Sequence, residues 1–214
     1  MVEDNRRPLS VRSNSIVQKI AIYLARRDFP SPNQISILSI VFALIGAVLY
    51  GSVVTKTGVE WKLILAAVCV QLRLLCNLFD GMVAVEGGKS SPVGGLYNEV
   101  PDRVADTLFF LGFAYAIDAF VWGLVLSLFA MATAYIRTLG GSLGLPQSFI
   151  GPMAKQHRMA LLTGASILAA GEWWLSQTFY VMYVSLGLLI IGSATTCITR
   201  LLAIAKALNQ LHGK

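Results

Sequence analysis

The sequence predicts an all-α, polytopic membrane protein: six transmembrane helices preceded by an N-terminal amphipathic helix lying in the membrane interface. Three observations predict it. Of 214 residues, 56% are hydrophobic and 13% charged, with a mean hydropathy of +0.67, too apolar for an ordinary soluble domain. Apolar stretches of about 20 residues recur, each long enough to span the hydrocarbon layer as a helix. Lysine and arginine crowd into alternate connections between them. The chain divides into residues 1–30, a polar tail with the interfacial helix, and residues 31–214, the six-helix transmembrane domain that also carries the candidate site.

The N-terminal residues 1–12 (MVEDNRRPLSVR) are polar and read as a loose tail without a signal peptide's apolar stretch or cleavage site. Over 14–28, Ile16, Ile20, Tyr23 and Leu24 recur at helical spacing, with Lys19, Arg26 and Arg27 elsewhere, as in an interfacial helix. Ser31 is a good N-cap, and Pro32 suits the first helical position, where its missing N–H has no partner to lose. Spans follow at 34–54, 61–83, 102–117, 119–139, 158–175 and 179–206. The third is short for a crossing unless residues 98–101 already belong to it. Trp173, Trp174, Phe179 and Tyr180 suit an outer aromatic belt, and Asp118 and Glu172 fall in outer turns and need no special role. Cys69, Cys76 and Cys197 lie in apolar segments without metal-type spacing and read as buried small hydrophobes.

With both termini on one side, that side holds fourteen of the seventeen basic residues: Arg6, Arg7, Arg12, Lys19, Arg26, Arg27, Lys89, Arg103, Arg137, Lys155, Arg158, Arg200, Lys206 and Lys214. The other side holds Lys56 and Lys62, and Arg73 lies inside the second span. This bias places both termini on the cytoplasmic face. The net charge of +6 belongs to the same pattern; no basic stripe with interleaved aromatics appears, so nucleic acid is not an expected partner.

The stretch from Asn77 to Asp106 holds five of the eleven carboxylates, Asp80, Glu86, Glu99, Asp102 and Asp106, at the same cytoplasmic mouth. Carboxylates this close repel unless positive charge lies among them, and hard divalent cations are the usual solution. Asn77 and Asp80 are three apart and Asp102 and Asp106 four apart, so each pair shares a helix face. Two neighbouring helices then aim four oxygen-bearing side chains into one space. Gly81, Gly87, Gly88, Gly94 and Gly95 allow a phosphate close to the backbone. Together these suggest metal-dependent transfer at a phosphate, with a carboxylate taking the nucleophile's proton. Intramembrane acids also mark cation paths in transporters, but there they lie near the midplane on broken helices, not at one mouth beside a glycine loop.

Asn77-x2-Asp80-Gly81-x2-Ala84, a glycine-bearing loop, then Asp102-x3-Asp106 resembles the CDP-alcohol phosphotransferase signature, D-x2-D-G-x2-A-R-x8-G-x3-D-x3-D. Ser31-Pro32-Asn33-Gln34-x-Ser36 is similar to the segment that opens that family's first helix. The resemblance covers nearly the whole chain, with only the central motif specific. It implies divalent metals, magnesium or manganese and two in number, on Asn77, Asp80, Asp102 and Asp106, with Asp106 as the base. It further implies a CDP-linked lipid donor, in bacteria usually CDP-diacylglycerol, an alcohol acceptor, loss of CMP, homodimers, and residence in the bacterial inner membrane. Gly81, Ala84 and Gly95 would line the donor, and Arg137, Lys155 and Arg158 the substrate phosphates.

The chain departs from the pattern in three places. Asn77 replaces the first acid, Val85 replaces the arginine, and six residues rather than three separate Gly95 from Asp102, so either Asn98 takes the third glycine's place in the spacing or the loop carries an insertion. These allow a second reading, a member that binds nucleotide-lipid or a partner without turnover. Arg73, on the face of Asn77 and Asp80, is expected to pair with the acids or with a substrate phosphate, and Glu99 is a further candidate ligand or a helix-start acid. Arg200 is expected to snorkel, and His157 carries no role of its own.

Overall fold

The computed structural model describes residues 14–27, 29–89 and 91–212; the expected polar tail at 1–12 lies outside them. Regular structure among the described residues is helical: α1 Ser15–Ala25, α2 Pro32–Gly51, α3 Val59–Glu86, α4 Gly94–Tyr115, α5 Phe120–Ser142, α6 Lys155–Ser176 and α7 Tyr180–His212, with a 3-10 turn at Ser52–Thr55. Ser31 caps α2 as expected. Its hydroxyl accepts from the Gln34 amide at 3.3 Å while its own amide donates to Gln34 Oε1 at 2.8 Å.

Helices α2 to α7 each have 20 residues or more. Four stretches, Pro32–Thr55, Val59–Glu86, Phe120–Ser142 and Tyr180–Leu211, are also apolar enough to cross a membrane. Helix α4 falls short because Glu99, Asp102, Arg103 and Asp106 crowd it, and α6 because Lys155, His157, Arg158 and Glu172 stand at its ends. The expected start of the third span at Asp102 is corrected: α4 begins at Gly94 and runs through Pro101. Gly94 and Gly95 therefore form its first turn and are not in the loop. Pro101 lacks the N–H that would bond the Tyr97 carbonyl, a loss the helix tolerates near its start.

Helix α2 packs lengthwise against both α3 and α4, α6 against α3, and α5 joins α4 to α7, while α3 and α4 touch each other only briefly. Small residues set the α2–α4 approach. A Cβ at Gly112 would lie 2.7 Å from Ala47 Cα, and one at Gly46 would lie 2.4 Å from the Phe109 ring. Tyr50, Phe109, Phe110, Phe113, Leu126 and Leu162 fill the core. The buried Tyr50 hydroxyl is satisfied by Ser166 Oγ at 2.5 Å. Outward, Ile37, Val41, Leu44 and Val48 form an exposed apolar stripe on α2.

Helix α1 buries Ala21 and Ala25 against Leu78, Met82 and Val83 of α3 and leaves Ile16, Ile20 and Tyr23 exposed. The three cysteines are buried and unbridged, as expected. Two expectations change. Arg200 does not snorkel: it is buried and donates to the Thr133 carbonyl at 2.6 Å and the Ile150 carbonyl at 2.9 Å, tying α7 to α5. Glu172 has a structural role, accepting from Thr178 Oγ1 (2.6 Å) and from the amides of Tyr180 (2.7 Å) and Val181 (2.9 Å), which caps α7.

Candidate functional site

The site grows from two helices that face each other across a gap. Arg73, Asn77 and Asp80 recur on α3 at spacings of four and three; Glu99, Asp102 and Asp106 recur on α4 at three and four. Each set therefore shares one face. Because α3 and α4 hardly touch, long side chains fill the space between them. Arg73, fully buried, crosses it. Its Nη2 donates to Asp106 Oδ1 at 2.7 Å and to Asp102 Oδ1 at 3.1 Å. Asn77 Nδ2 donates to the same Asp102 oxygen.

Helix α6 closes the array from the other side. Lys155, its first residue, donates to Asp102 Oδ2. Arg158, one turn on and buried, reaches Asp106 Oδ2 at 3.5 Å and donates to Thr133 Oγ1 at 3.2 Å and the Met153 carbonyl at 3.0 Å. Asp80 stands apart. It is buried, accepts from Ser36 Oγ of α2 at 2.6 Å and from the Gly81 amide at 2.5 Å, and has no ion-pair partner among the described residues.

Of the other expected residues, Glu99 pairs with Arg137 at 2.5 Å and Arg103 at 3.7 Å, so it is engaged by guanidinium groups. Arg137 also lies 5.3 Å from the Phe149 ring centre. A Cβ at Gly81 or Gly95 would meet open space. Ala84 is half-buried beside the exposed Val85. His157 Nδ1 bonds the Pro152 carbonyl at 2.8 Å. Ser36 was not singled out by its chemistry; the only signal was its place in the Ser-Pro-Asn segment.

A second register of the motif also emerges. Counting forward from Val85, eight residues precede Gly94, three separate Gly94 from Asn98, and three separate Asn98 from Asp102. The full spacing D-x2-D-G-x2-A-R-x8-G-x3-D-x3-D then needs no insertion, with Asn98 in the third acidic position and Asp102 in the fourth. In the structure the side chain that meets Asn77 is Asp102. Asn98, exposed in the second turn of α4, was expected at most in a glycine's place and not in an acid's, because the pair Asp102-x3-Asp106 mimics the motif's end one turn late.

The donor atoms of the four expected ligands differ in how far they are already engaged. Asn77 Oδ1 is buried without a hydrogen-bond partner and Asp80 has no ion-pair partner among the described residues, which suits a hard metal with oxygen ligands. Asp102 and Asp106 differ: each of their oxygens already faces Arg73, Asn77, Lys155 or Arg158. A 2+ ion about 4 Å from one guanidinium is opposed by roughly 8 kcal/mol at an effective dielectric of about 20. Among the described residues no three His, Cys, Asp or Glu side chains gather as metal ligands.

No family model matches the chain. It is 24% identical over 199 residues to the phosphatidylinositol phosphate synthase of Streptomyces avermitilis, covering 89% of this chain and 78% of the relative. It is 25% identical over 113 residues to the inner membrane protein YnbA of Escherichia coli, covering 51% of this chain and 56% of that protein. Its fold is that of the crystal structures of Mycobacterium tuberculosis phosphatidylinositol phosphate synthase. The CDP-DAG-bound form aligns with a TM-score of 0.72 at 22% identity, covering 89% of this chain and 94% of that one. The form in complex with manganese and citrate aligns with a TM-score of 0.71 at 22% identity, covering 88% of each.

Proposed function

We propose that the chain is an integral membrane CDP-alcohol phosphotransferase, moving a phosphatidyl group from a CDP-activated lipid such as CDP-diacylglycerol to an alcohol and releasing CMP. One observation carries this reading. Motif residues from α3 and α4 converge on one gap, in a chain whose fold matches a synthase crystallised with CDP-DAG. The names of the relatives support phospholipid synthesis as the process.

In this reading Asp102 is the base, in place of the expected Asp106. Motif spacing favours Asp102, which stands at the signature's fourth acidic position and is the acid that meets Asn77. Asp102 takes the acceptor's hydroxyl proton as the acceptor oxygen bonds to the lipid-side phosphorus; the bond from that phosphorus to the CMP oxygen breaks, and CMP leaves. Lys155 and Arg158 line the phosphate side, with Arg137 held at the rim by Glu99. Gly81, Ala84 and Gly95 leave room for the donor. Asn77 and Asp80 hold a divalent ion, magnesium or manganese, which when bound neutralises phosphate charge; the manganese complex of the structural relative supports the metal class.

The membrane setting belongs to the same proposal. All six helices α2 to α7 cross, α1 lies in the interface with Ile16, Ile20 and Tyr23 toward lipid, and residues 31–214 form the catalytic domain. The lysine and arginine bias supports a cytoplasmic active site with both termini on that side of a bacterial inner membrane, and the family pattern adds a homodimer.

A second reading, donor binding without turnover, is favoured by Arg73 lying across the acids. The test is CMP release from CDP-diacylglycerol by purified protein with magnesium or manganese, across inositol phosphate, glycerol phosphate and neutral alcohols. Acceptor-dependent release establishes the transferase and names its acceptor. CDP-diacylglycerol binding without release under every condition establishes the second reading.

A further inference from the structure

The asymmetry of the acids has a physical cause. Asp80 is met by neutral donors, Ser36 Oγ and the Gly81 amide, and its neighbour Asn77 keeps an unpartnered buried oxygen. Asp102 and Asp106 are met by four cations, Arg73, Arg103, Lys155 and Arg158. Arg73 is the pivot: one nitrogen of a fully buried guanidinium bridges both carboxylates, while its Nε and Nη1 have no hydrogen-bond partner. A buried guanidinium with spare donors beside two carboxylates resembles a metal centre in function, since it offsets acid charge and presents donors to an incoming phosphate.

We infer that Arg73, together with Lys155, stands in place of the second of the two divalent ions that the motif pattern implies, leaving a single ion site on Asp80 and Asn77. The chemistry of the chain accounts for the exchange. Asn77 lacks the charge that a first acid would bring, and Asn98 lacks that of a third, so the array carries two fewer negative charges to offset. Arg73 lies four residues before Asn77 on the same face of α3, where its side chain reaches the acids of α4. Val85 stands where the motif has arginine, so the guanidinium has in effect moved from the end of α3 to its middle.

The inference rests on the transferase reading for the identity of the site, but its test does not depend on turnover. Full-length protein in detergent is titrated with manganese alone, and bound metal is followed by electron paramagnetic resonance and by atomic absorption after dialysis. The expected result is one manganese per chain with an uncoupled six-line spectrum. Two ions per chain with an exchange-coupled spectrum, as a metal pair about 3.5–4 Å apart gives, overturns it, and so does no bound manganese. The double variant Arg73→Gln with Asn77→Asp is expected to bind two manganese ions and to gain more thermal stability from the metal than the wild type. If that variant folds only with metal, or not at all, the wild-type stoichiometry and spectrum decide. CMP release is scored separately. One manganese without release leaves this inference standing and removes the transferase reading; two manganese with release does the reverse.

Discussion

Ser36 on α2 donates its hydroxyl to Asp80 Oδ2 on α3 at 2.6 Å, so the buried acid without a cationic partner among the described residues is oriented by a third helix. With the Gly81 amide on Oδ1, that bond holds both oxygens of Asp80 in a fixed orientation.

Ser36→Ala is therefore expected to weaken manganese binding by about 10- to 100-fold, the usual effect of removing a partner that orients a ligand. Helix content by circular dichroism should not change. A manganese titration equal to wild type would remove Asp80 from the ion site.

The two acids of α4 are expected to fail in different ways. Asp102→Asn lowers CMP release by about 10²- to 10⁴-fold in folded protein, the range for losing a general base. Asp106→Asn leaves Arg73 and Arg158 short of a buried counter-charge, a loss of about 3–5 kcal/mol, read as a lower unfolding midpoint. The opposite pattern assigns the base to Asp106.

Glu172 holds three donors at the start of α7. Glu172→Ala should destabilise the protein by about 1 kcal/mol, as loss of a helix cap does, with CMP release per folded molecule unchanged. Thermal unfolding with a parallel activity assay checks both halves.

Gly112→Ala forces a Cβ to within 2.7 Å of the α2 backbone. The expected penalty is about 1–3 kcal/mol, with reduced CMP release because α4 must move. Gly187→Ala, where an added Cβ meets nothing within 4 Å, is the control and should behave as wild type.

The number and order of the helices were legible because lipid-facing positions such as Ile37, Val41, Leu44 and Val48 must be apolar whatever the site does. The start of α4 was not, since Gly94, Gly95 and Pro101 punctuate sequence in the manner of a loop. The backbone shows that all three lie within one helix. Arg73 announced itself as an intramembrane cation, but its partners lie some 30 residues away, at Asp102 and Asp106, beyond any local pattern. Arg200 misled for a related reason: a charged residue near a helix end usually reaches outward, and here the carbonyls of Thr133 and Ile150 draw it inward. Asp102 and Asp106 were both visible, yet their roles depend on which one meets Asn77, a fact of three-dimensional register.

Helices α3 and α4 carry the candidate site residues but hardly touch; α2 packs along both. The width of the reactive gap is thus a dependent quantity, the sum of two thicknesses measured through α2. The α4 side is gauged by Gly46 on Phe109 and Ala47 on Gly112, and the α3 side by Ser36 on Asp80. Tolerance for error at the site is therefore spent in α2, a helix with no Asp, Glu, Lys, Arg or His. A single methyl group added to α2 at Gly46 would accordingly shift the spacing of the two acid-bearing helices without touching an acid.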